Sequence, residues 1–166
     1  MLQPAPSHLP GPRSGVSTLS PKSRGHVRLR SAFPDASPRI LHNYLQAEDD
    51  RQSMIRGLRA AMEIGNQPSM RRIITGDFDV PPSDSDSDLL VHARQKAQTQ
   101  YHPTSTCAIG SVVDPELRVF GLEGLRVVDA SVMPSGVRGN TNAPTIMIAE
   151  RAADLIRGRF RGGATL

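Results

Sequence analysis

Apolar residues recur at helical spacing in several segments of the chain, most clearly over residues 47–65. This segment begins with three consecutive acidic residues from Glu48, where the partial positive charge of a helix N-terminus favours carboxylates. The apolar residues that follow share one helical face: Met54, Ile55, Leu58, Ala61 and Met62. The pattern predicts an amphipathic helix that ends near Gly65, with Gly57 as a mild internal weakness.

A second helix is predicted over residues 85–100. It starts within Ser83–Asp88, a run of alternating serine and aspartate, in which one serine is expected to cap the helix and the acids to face its dipole. The run lacks the glycine and the distal glutamate of a calcium-binding loop, so we expect no metal site there. The apolar stripe comprises Leu89, Leu90, Ala93 and Ala97.

A third helix is predicted over residues 143–158. Asn142 is a good N-cap residue, and Pro144 suits the first helical turn. One face carries Ile148, Ala152, Leu155 and Ile156.

Shorter apolar runs predict strands. Residues 25–30 alternate after a glycine, which is typical of a half-buried strand. Residues 117–120 form a short candidate strand, and residues 125–130 form a buried one whose end carries Asp129. Together with the helices, these strands predict an α+β fold, while residues 66–82 are expected to be irregular.

Composition adds few constraints. The 166 residues are 37% hydrophobic and 4% aromatic, with 14 Pro and 14 Gly, which predicts a lean core and many turns. Residues 1–20 are rich in Pro, Ser and Gly and are predicted to be loop or disordered. Residues 161–166 are interpreted as a tail.

The charge and apolar patterns exclude several function classes. The net charge is +4, but residues 1–39 alone carry six basic residues and one acid, so the remainder nets to −1. This local excess does not favour nucleic-acid binding. A single cysteine, Cys107, excludes an internal disulfide and favours a reducing compartment, which we take as the cytoplasm. No apolar run approaches the ~20 residues of a membrane span.

Three features could carry chemistry. His102 follows the second predicted helix and precedes Pro103, which biases it away from helical backbone. A lone loop histidine is more often structural or solvated than catalytic. Asp129 is either a turn former or a ligand contact at a strand end. The N-terminus of the third helix exposes N–H groups that suit an anion, as every helix N-terminus does.

Six segments resemble, in order, the C-terminal region of the glucose-methanol-choline (GMC) oxidoreductases, especially the choline dehydrogenase-like, FAD-dependent alcohol dehydrogenases. They are PKSRGHVRL at 21–29, NYL at 43–45, YHPTSTCAIG at 101–110, VDPELRV at 113–119, GLRVVDASVMP at 124–134 and GNTNAPTIMIAE at 139–150. The resemblance covers about residues 21–159.

The resemblance implies FAD-dependent oxidation of a small-molecule alcohol to an aldehyde. His102 matches the base that takes the hydroxyl proton, a task that suits an imidazole near neutral pH. Asn140 matches the residue that hydrogen-bonds the substrate oxygen. The positions implied to contact FAD are Asp129, Ala130, Asn140, Thr141, Asn142, Ala143 and Thr145, and no metal is implied.

The resemblance also implies the architecture. Residues 21–120 would be a substrate-domain portion, and residues 121–160 would be the last strand and helix of the FAD-binding domain. The chain shows no GxGxxG fingerprint after a strand, so the N-terminal Rossmann half of the family is expected to be absent from it. That FAD-binding half would then be a partner that this chain needs. The alternative is a non-catalytic truncated fragment or interaction module that does not bind FAD alone. Retention of flavin by the purified chain distinguishes the two.

The chain departs from the family pattern near His102. Ser105 replaces a glycine, Ala108 a basic residue and Ile109 a methionine, and the connection to Asp114 is short. These changes bear on the geometry of the loop and on which alcohol it accommodates.

Overall fold

The computed structural model describes residues 15–74, 76–77 and 79–159. Among them are strands β1 (His26–Arg28) and β2 (Arg39–Leu41), which pair antiparallel, and a 3₁₀ helix (Ala130–Val132). The α-helices are α1 (Glu48–Gly65), α2 (Pro68–Arg71), α3 (Asp86–Lys96) and α4 (Asn142–Ile156). The predictions for residues 1–14 and 160–166 lie outside the described residues.

The described backbone forms two compact units. One contains Leu45–Ala97 and the segment that ends at Thr18, and the other contains Leu19–Tyr44 and the segment that begins at Gln98. This division concerns backbone packing. The assignment of residues 21–120 and 121–160 to substrate and FAD-binding portions stays a prediction.

Helices α1 and α3 form the first unit, as their apolar stripes predict. Ile55 of α1 and Leu89 and Ala93 of α3 are buried. The guanidinium of Arg59 on α1 donates to Asp86 Oδ1 at the start of α3 over 2.6 Å. Ser85 is the N-cap of α3, where its Oγ accepts from the backbone N–H of Asp88, so the predicted serine cap is confirmed.

Two predictions in this unit need correction. Helix α3 ends at Lys96 rather than near Gln100, because Ala97, the last residue of the predicted stripe, is exposed and the residues after it bury nothing that would support another turn. The segment predicted to be irregular contains α2, which opens on a proline. The prediction of Gly57 as an internal weakness of α1 stays a prediction, and the structure adds that a Cβ there would overlap the side chain of Val16.

The β1–β2 hairpin is more exposed than predicted. Val27 pairs with Ile40, and every residue of both strands is exposed, so the interpretation of residues 25–30 as a half-buried strand was wrong. The sequence prediction also missed β2. Gly25 precedes β1 at a close approach, since a Cβ there would lie 2.8 Å from the carbonyl oxygen of His42 and overlap that of Leu41.

The core of the second unit joins α4 to the chain before it. Val113, Leu117, Val132 and Ala152 are buried together, and Ile148 of α4 packs against them. The predicted face of α4 is confirmed at Ile148 and Ala152, whereas Ile156 is exposed. Ile146 and Met147 of the same helix are also exposed.

The strands predicted at residues 117–120 and 125–130 are absent from the described structure, which has only isolated bridges there, such as Arg118 with Arg126. Leu117 has a φ of 67°, which no strand accommodates. The Asp114 carboxylate accepts from the backbone N–H groups of Glu116 and Arg118 at 2.8 and 2.9 Å. These hydrogen bonds to the side chain use backbone N–H groups that a β-ladder would otherwise pair with a neighbouring strand.

Candidate active site

His102 lies in an irregular segment beyond α3. Tyr101 before it has a φ of 60°, and the imidazole is exposed. Two backbone hydrogen bonds hold the end of the segment, from Cys107 N–H to Ser131 O and from Ile109 N–H to Val132 O, both 2.9 Å. The segment that begins at His102 is therefore fixed against the 3₁₀ helix.

Asp129 is the N-cap of that 3₁₀ helix. Its Oδ1 accepts from Ser131 N–H at 2.7 Å, so the turn-forming interpretation of Asp129 is confirmed. Its side chain is exposed, and Ala130 is half-buried. The contact of both residues with FAD stays a prediction.

The N-terminus of α4 differs from the prediction at one residue. The helix begins at Asn142 and the N-cap is Thr141, whose hydroxyl does not cap it, so the assignment of Asn142 as N-cap was wrong. Pro144 lies in the first turn, as predicted. Thr145 donates both its N–H and its hydroxyl to the carbonyl of Thr141, at 3.0 and 2.6 Å.

The geometry leaves two backbone donors at this end of α4. An α-helix has no internal partner for its first N–H groups, and Pro144 contributes none. Asn142 and Ala143 are both exposed, and the first turn of α4 holds no acidic residue. The end of the helix therefore presents N–H donors and a partial positive charge.

One contact joins the His102 segment to α4. Nδ1 of His102 lies 3.1 Å from Oγ1 of Thr141, a hydrogen bond between residues 39 positions apart. A Cβ added at Gly136 would lie 3.6 Å from Oγ1 of Thr104, so the segment before α4 also runs beside the His102 segment. Sequence reasoning did not find the pairing of His102 with Thr141, because no local pattern relates residues so far apart.

The arrangement combines three chemical groups. The imidazole of His102 is held through Nδ1, which leaves Nε2 as its other nitrogen for a ligand. Asn140 is exposed and adjoins Thr141 in sequence. Backbone N–H donors follow at once in α4. These are a proton acceptor, an amide and an anion-stabilising helix end.

Comparison with known proteins identifies the wider group. Residues 21–149 match the family described as GMC oxidoreductase. The chain belongs to this family. The match includes His102 and Asn140 and all of the α4 N-terminus.

Two curated proteins are similar to this GMC chain. An alcohol dehydrogenase (acceptor) from Pseudomonas putida is 47% identical over 150 residues, which are 85% of this chain and 26% of that protein. An oxygen-dependent choline dehydrogenase from Klebsiella pneumoniae subsp. pneumoniae is 47% identical over 151 residues, or 87% of this chain and 27% of that protein. The chain thus spans about a quarter of the length of these relatives.

A solved structure is also similar to this chain. A formate oxidase from Aspergillus oryzae RIB40, whose structure concerns FAD modification, aligns with a TM-score of 0.80 and 30% identity. The alignment covers 92% of this chain and 29% of the oxidase. Among the residues described, no helix of the GMC chain has the length and apolarity to cross a membrane.

The end of α4 fits a flavin. The pyrimidine edge of a flavin ring carries carbonyl oxygens and a nitrogen that accept hydrogen bonds, and the N–H groups of Asn142 and Ala143 are donors of the matching kind. The absence of an acidic side chain from the first turn of α4 removes a source of repulsion toward an electron-rich ring. The residues present are therefore compatible with FAD.

Proposed function

We propose that this chain supplies the substrate-facing part of an FAD-dependent oxidoreductase that converts an alcohol to an aldehyde. The observation that carries the proposal is the 3.1 Å contact between His102 Nδ1 and Thr141 Oγ1. It joins the imidazole to the end of α4, whose N–H donors suit a flavin. Membership of the GMC family and the alcohol and choline dehydrogenases among its relatives support the same reaction.

His102 is the proposed proton acceptor. The alcohol loses its hydroxyl proton to Nε2 of the imidazole, and the alcohol carbon loses a hydride, so the substrate is oxidised by two electrons. FAD, when bound, supplies the acceptor of that hydride. The proton then leaves His102 to solvent.

Asn140 is proposed to hold the substrate oxygen. Its amide N–H groups can donate to an oxygen on which negative charge develops, and the amide brings no charge that would disturb the imidazole. The N-terminus of α4 and the residues before it are proposed to face the cofactor, together with the start of the 3₁₀ helix: Asp129, Ala130, Asn140, Thr141, Asn142, Ala143 and Thr145.

FAD binding is proposed to require the remaining part of a GMC protein. The chain spans about a quarter of its curated relatives, and α4 exposes Ile146 and Met147, two apolar side chains that a further domain would cover. The isolated chain is therefore expected to retain little flavin after mixing with FAD and desalting.

A fusion protein tests the proposal. This chain replaces the matching segment of the Pseudomonas putida alcohol dehydrogenase (acceptor), with which it shares 47% identity. The expected product is yellow and oxidises alcohols, measured as reduction of an added acceptor dye across a panel of primary alcohols. The unmodified relative is the positive control.

Two results separate the proposal from its alternative. A folded fusion that retains flavin and oxidises no alcohol on the panel would indicate a non-catalytic segment or interaction module. Oxidation of an alcohol by the fusion would exclude that alternative for this segment.

A further inference from the structure

We infer that Thr141 is a positioning residue that fixes which nitrogen of His102 carries a proton. The inference rests on the proposed function, since it concerns the same imidazole. It starts from the 3.1 Å hydrogen bond between Thr141 Oγ1 and His102 Nδ1. Through this bond Thr141 acts on the substrate by way of His102.

The backbone of Thr141 frees its hydroxyl for this contact. An N-cap residue normally has extended backbone, and its side chain then accepts from the backbone N–H of the residue two or three positions later. Thr141 instead has φ −85° and ψ −8°, in the helical region. Three residues on is Pro144, which has no N–H to donate. The hydroxyl therefore makes no capping bond and turns to His102.

Thr145 holds Thr141 in this conformation. Its backbone N–H and its hydroxyl both donate to the Thr141 carbonyl, so the first turn of α4 is closed through the Thr145 side chain. Ile148 and Ala152 anchor the same helix in the core. The hydroxyl is thus fixed on the side of His102 by backbone that the core holds.

The hydrogen bond to Nδ1 sets the chemistry of the other nitrogen. The partner of one imidazole nitrogen decides which of the two is protonated. A threonine hydroxyl can accept from Nδ1–H or donate to Nδ1, and the contact itself allows either. The proposed base needs a lone pair on Nε2, which assigns the polarity in which the Thr141 oxygen accepts from Nδ1–H. Nε2 then carries a lone pair and is the atom that takes the alcohol proton. The opposite polarity, with the hydroxyl donating to Nδ1, would make Nε2 a donor and unfit as the base.

The test uses the chain itself and needs no flavin. Two-dimensional ¹H–¹⁵N NMR of the histidine rings, above the imidazole titration range, distinguishes protonated from unprotonated nitrogens. The His102 signals are assigned by their loss in His102→Gln. We expect Nδ1 to be protonated and Nε2 unprotonated in the parent chain.

Two substitutions isolate the hydroxyl. Thr141→Val keeps the shape and removes the hydrogen bond, and it is expected to shift the tautomer ratio toward Nε2–H by about fivefold, the worth of one such bond. Thr141→Ser keeps the hydroxyl and is expected to retain the parent pattern. The rings of His26 and His42 report folding, because their signals stay in place when the unit is intact.

The inference would be overturned if Nε2 of His102 were protonated in the parent chain. It would also be overturned if Thr141→Val left the tautomer ratio of His102 unchanged while the signals of His26 and His42 stayed in place. The fusion protein separates this failure from that of the proposed function. If the NMR result is as expected while His102→Gln leaves alcohol oxidation intact, the tautomer assignment stands and the proposed base role fails. If both hold, Thr141→Val is expected to lower the turnover rate of the fusion about tenfold with little change in KM, and Thr141→Ser to restore it.

Discussion

Ser105 lies three residues after His102 and adopts a φ of 71°. Side chains with a Cβ are strained in this left-handed region, which glycine enters without cost. The resemblance to the GMC pattern implies a glycine at this residue, where the chain has serine. The left-handed backbone is one that glycine would adopt without strain, so Ser105 carries conformational strain close to the proposed base.

Replacing Ser105 by glycine is expected to stabilise the chain. The substitution removes left-handed strain of about 1–2 kcal/mol. It also gives the unfolded chain more conformational freedom, which lowers the free energy of unfolding by about 0.4–1 kcal/mol. It also removes the 3.1 Å hydrogen bond from Ser105 Oγ to Thr104 Oγ1. The net gain in unfolding free energy is expected to be up to about 1 kcal/mol, measured by urea denaturation.

Ser135→Gly is the matched control. Ser135 is exposed and lies in the same unit, outside the left-handed residues of the described chain, so glycine there is expected to destabilise by about 0.5–1 kcal/mol. Equal losses in both variants would show that Ser105 is not strained.

The elements of the chain were predictable where side chains pack at regular intervals. Helices α1, α3 and α4 follow from apolar periodicity, which is supported by the acidic first turn of α1, the Ser85 cap of α3 and Pro144 in the first turn of α4. The strands predicted at residues 117–120 and 125–130 are reduced to an isolated bridge between Arg118 and Arg126, because Leu117 has left-handed backbone and the Asp114 carboxylate accepts from the N–H of Arg118. An apolar run does not reveal this local competition for hydrogen bonds.

The loop around Asp114 is expected to weaken in acid. Burial raises the pKa of the Asp114 carboxyl, but hydrogen bonds from the backbone of Arg118, its guanidinium and the backbone of Glu116 outweigh it and hold the pKa below its ordinary value. A lowered folded-state pKa means that the stabilisation is complete above the ordinary carboxyl pKa of about 4. It is lost as the pH falls from there through the lower folded-state pKa.

Asp114→Asn tests this dependence. The variant is expected to be less stable than the parent at pH 7, and the difference is expected to shrink as the pH falls below about 4. Urea titrations followed by the amide NMR signals of Leu117 and Val119 report the loop directly. Asp35→Asn, an exposed position between β1 and β2, is the control. A difference that is the same at pH 7 and pH 3 would refute the assignment to the Asp114 carboxylate.

At the scale of the whole molecule, the proposed site depends on two distant stretches of sequence. His102 and Asn140 were singled out by resemblance to the family, since neither stands out by periodicity or spacing. The packing of residues 107–109 along the 3₁₀ helix and the core contacts of α4 bring the two stretches together. Those contacts arise from tertiary structure, so only the order of the motifs, and not their geometry, could be predicted.

The measurement that tests the account most directly is the single-turnover rate of flavin reduction by a saturating alcohol in the fusion protein. It compares His102→Gln with His26→Gln, an equivalent substitution at an exposed histidine of β1. We predict that His102→Gln slows flavin reduction by about 100-fold or more, the usual worth of a general base, and that His26→Gln leaves it unchanged. Equal rates in the two variants, with flavin retained in both, would contradict the role of His102 as the proton acceptor.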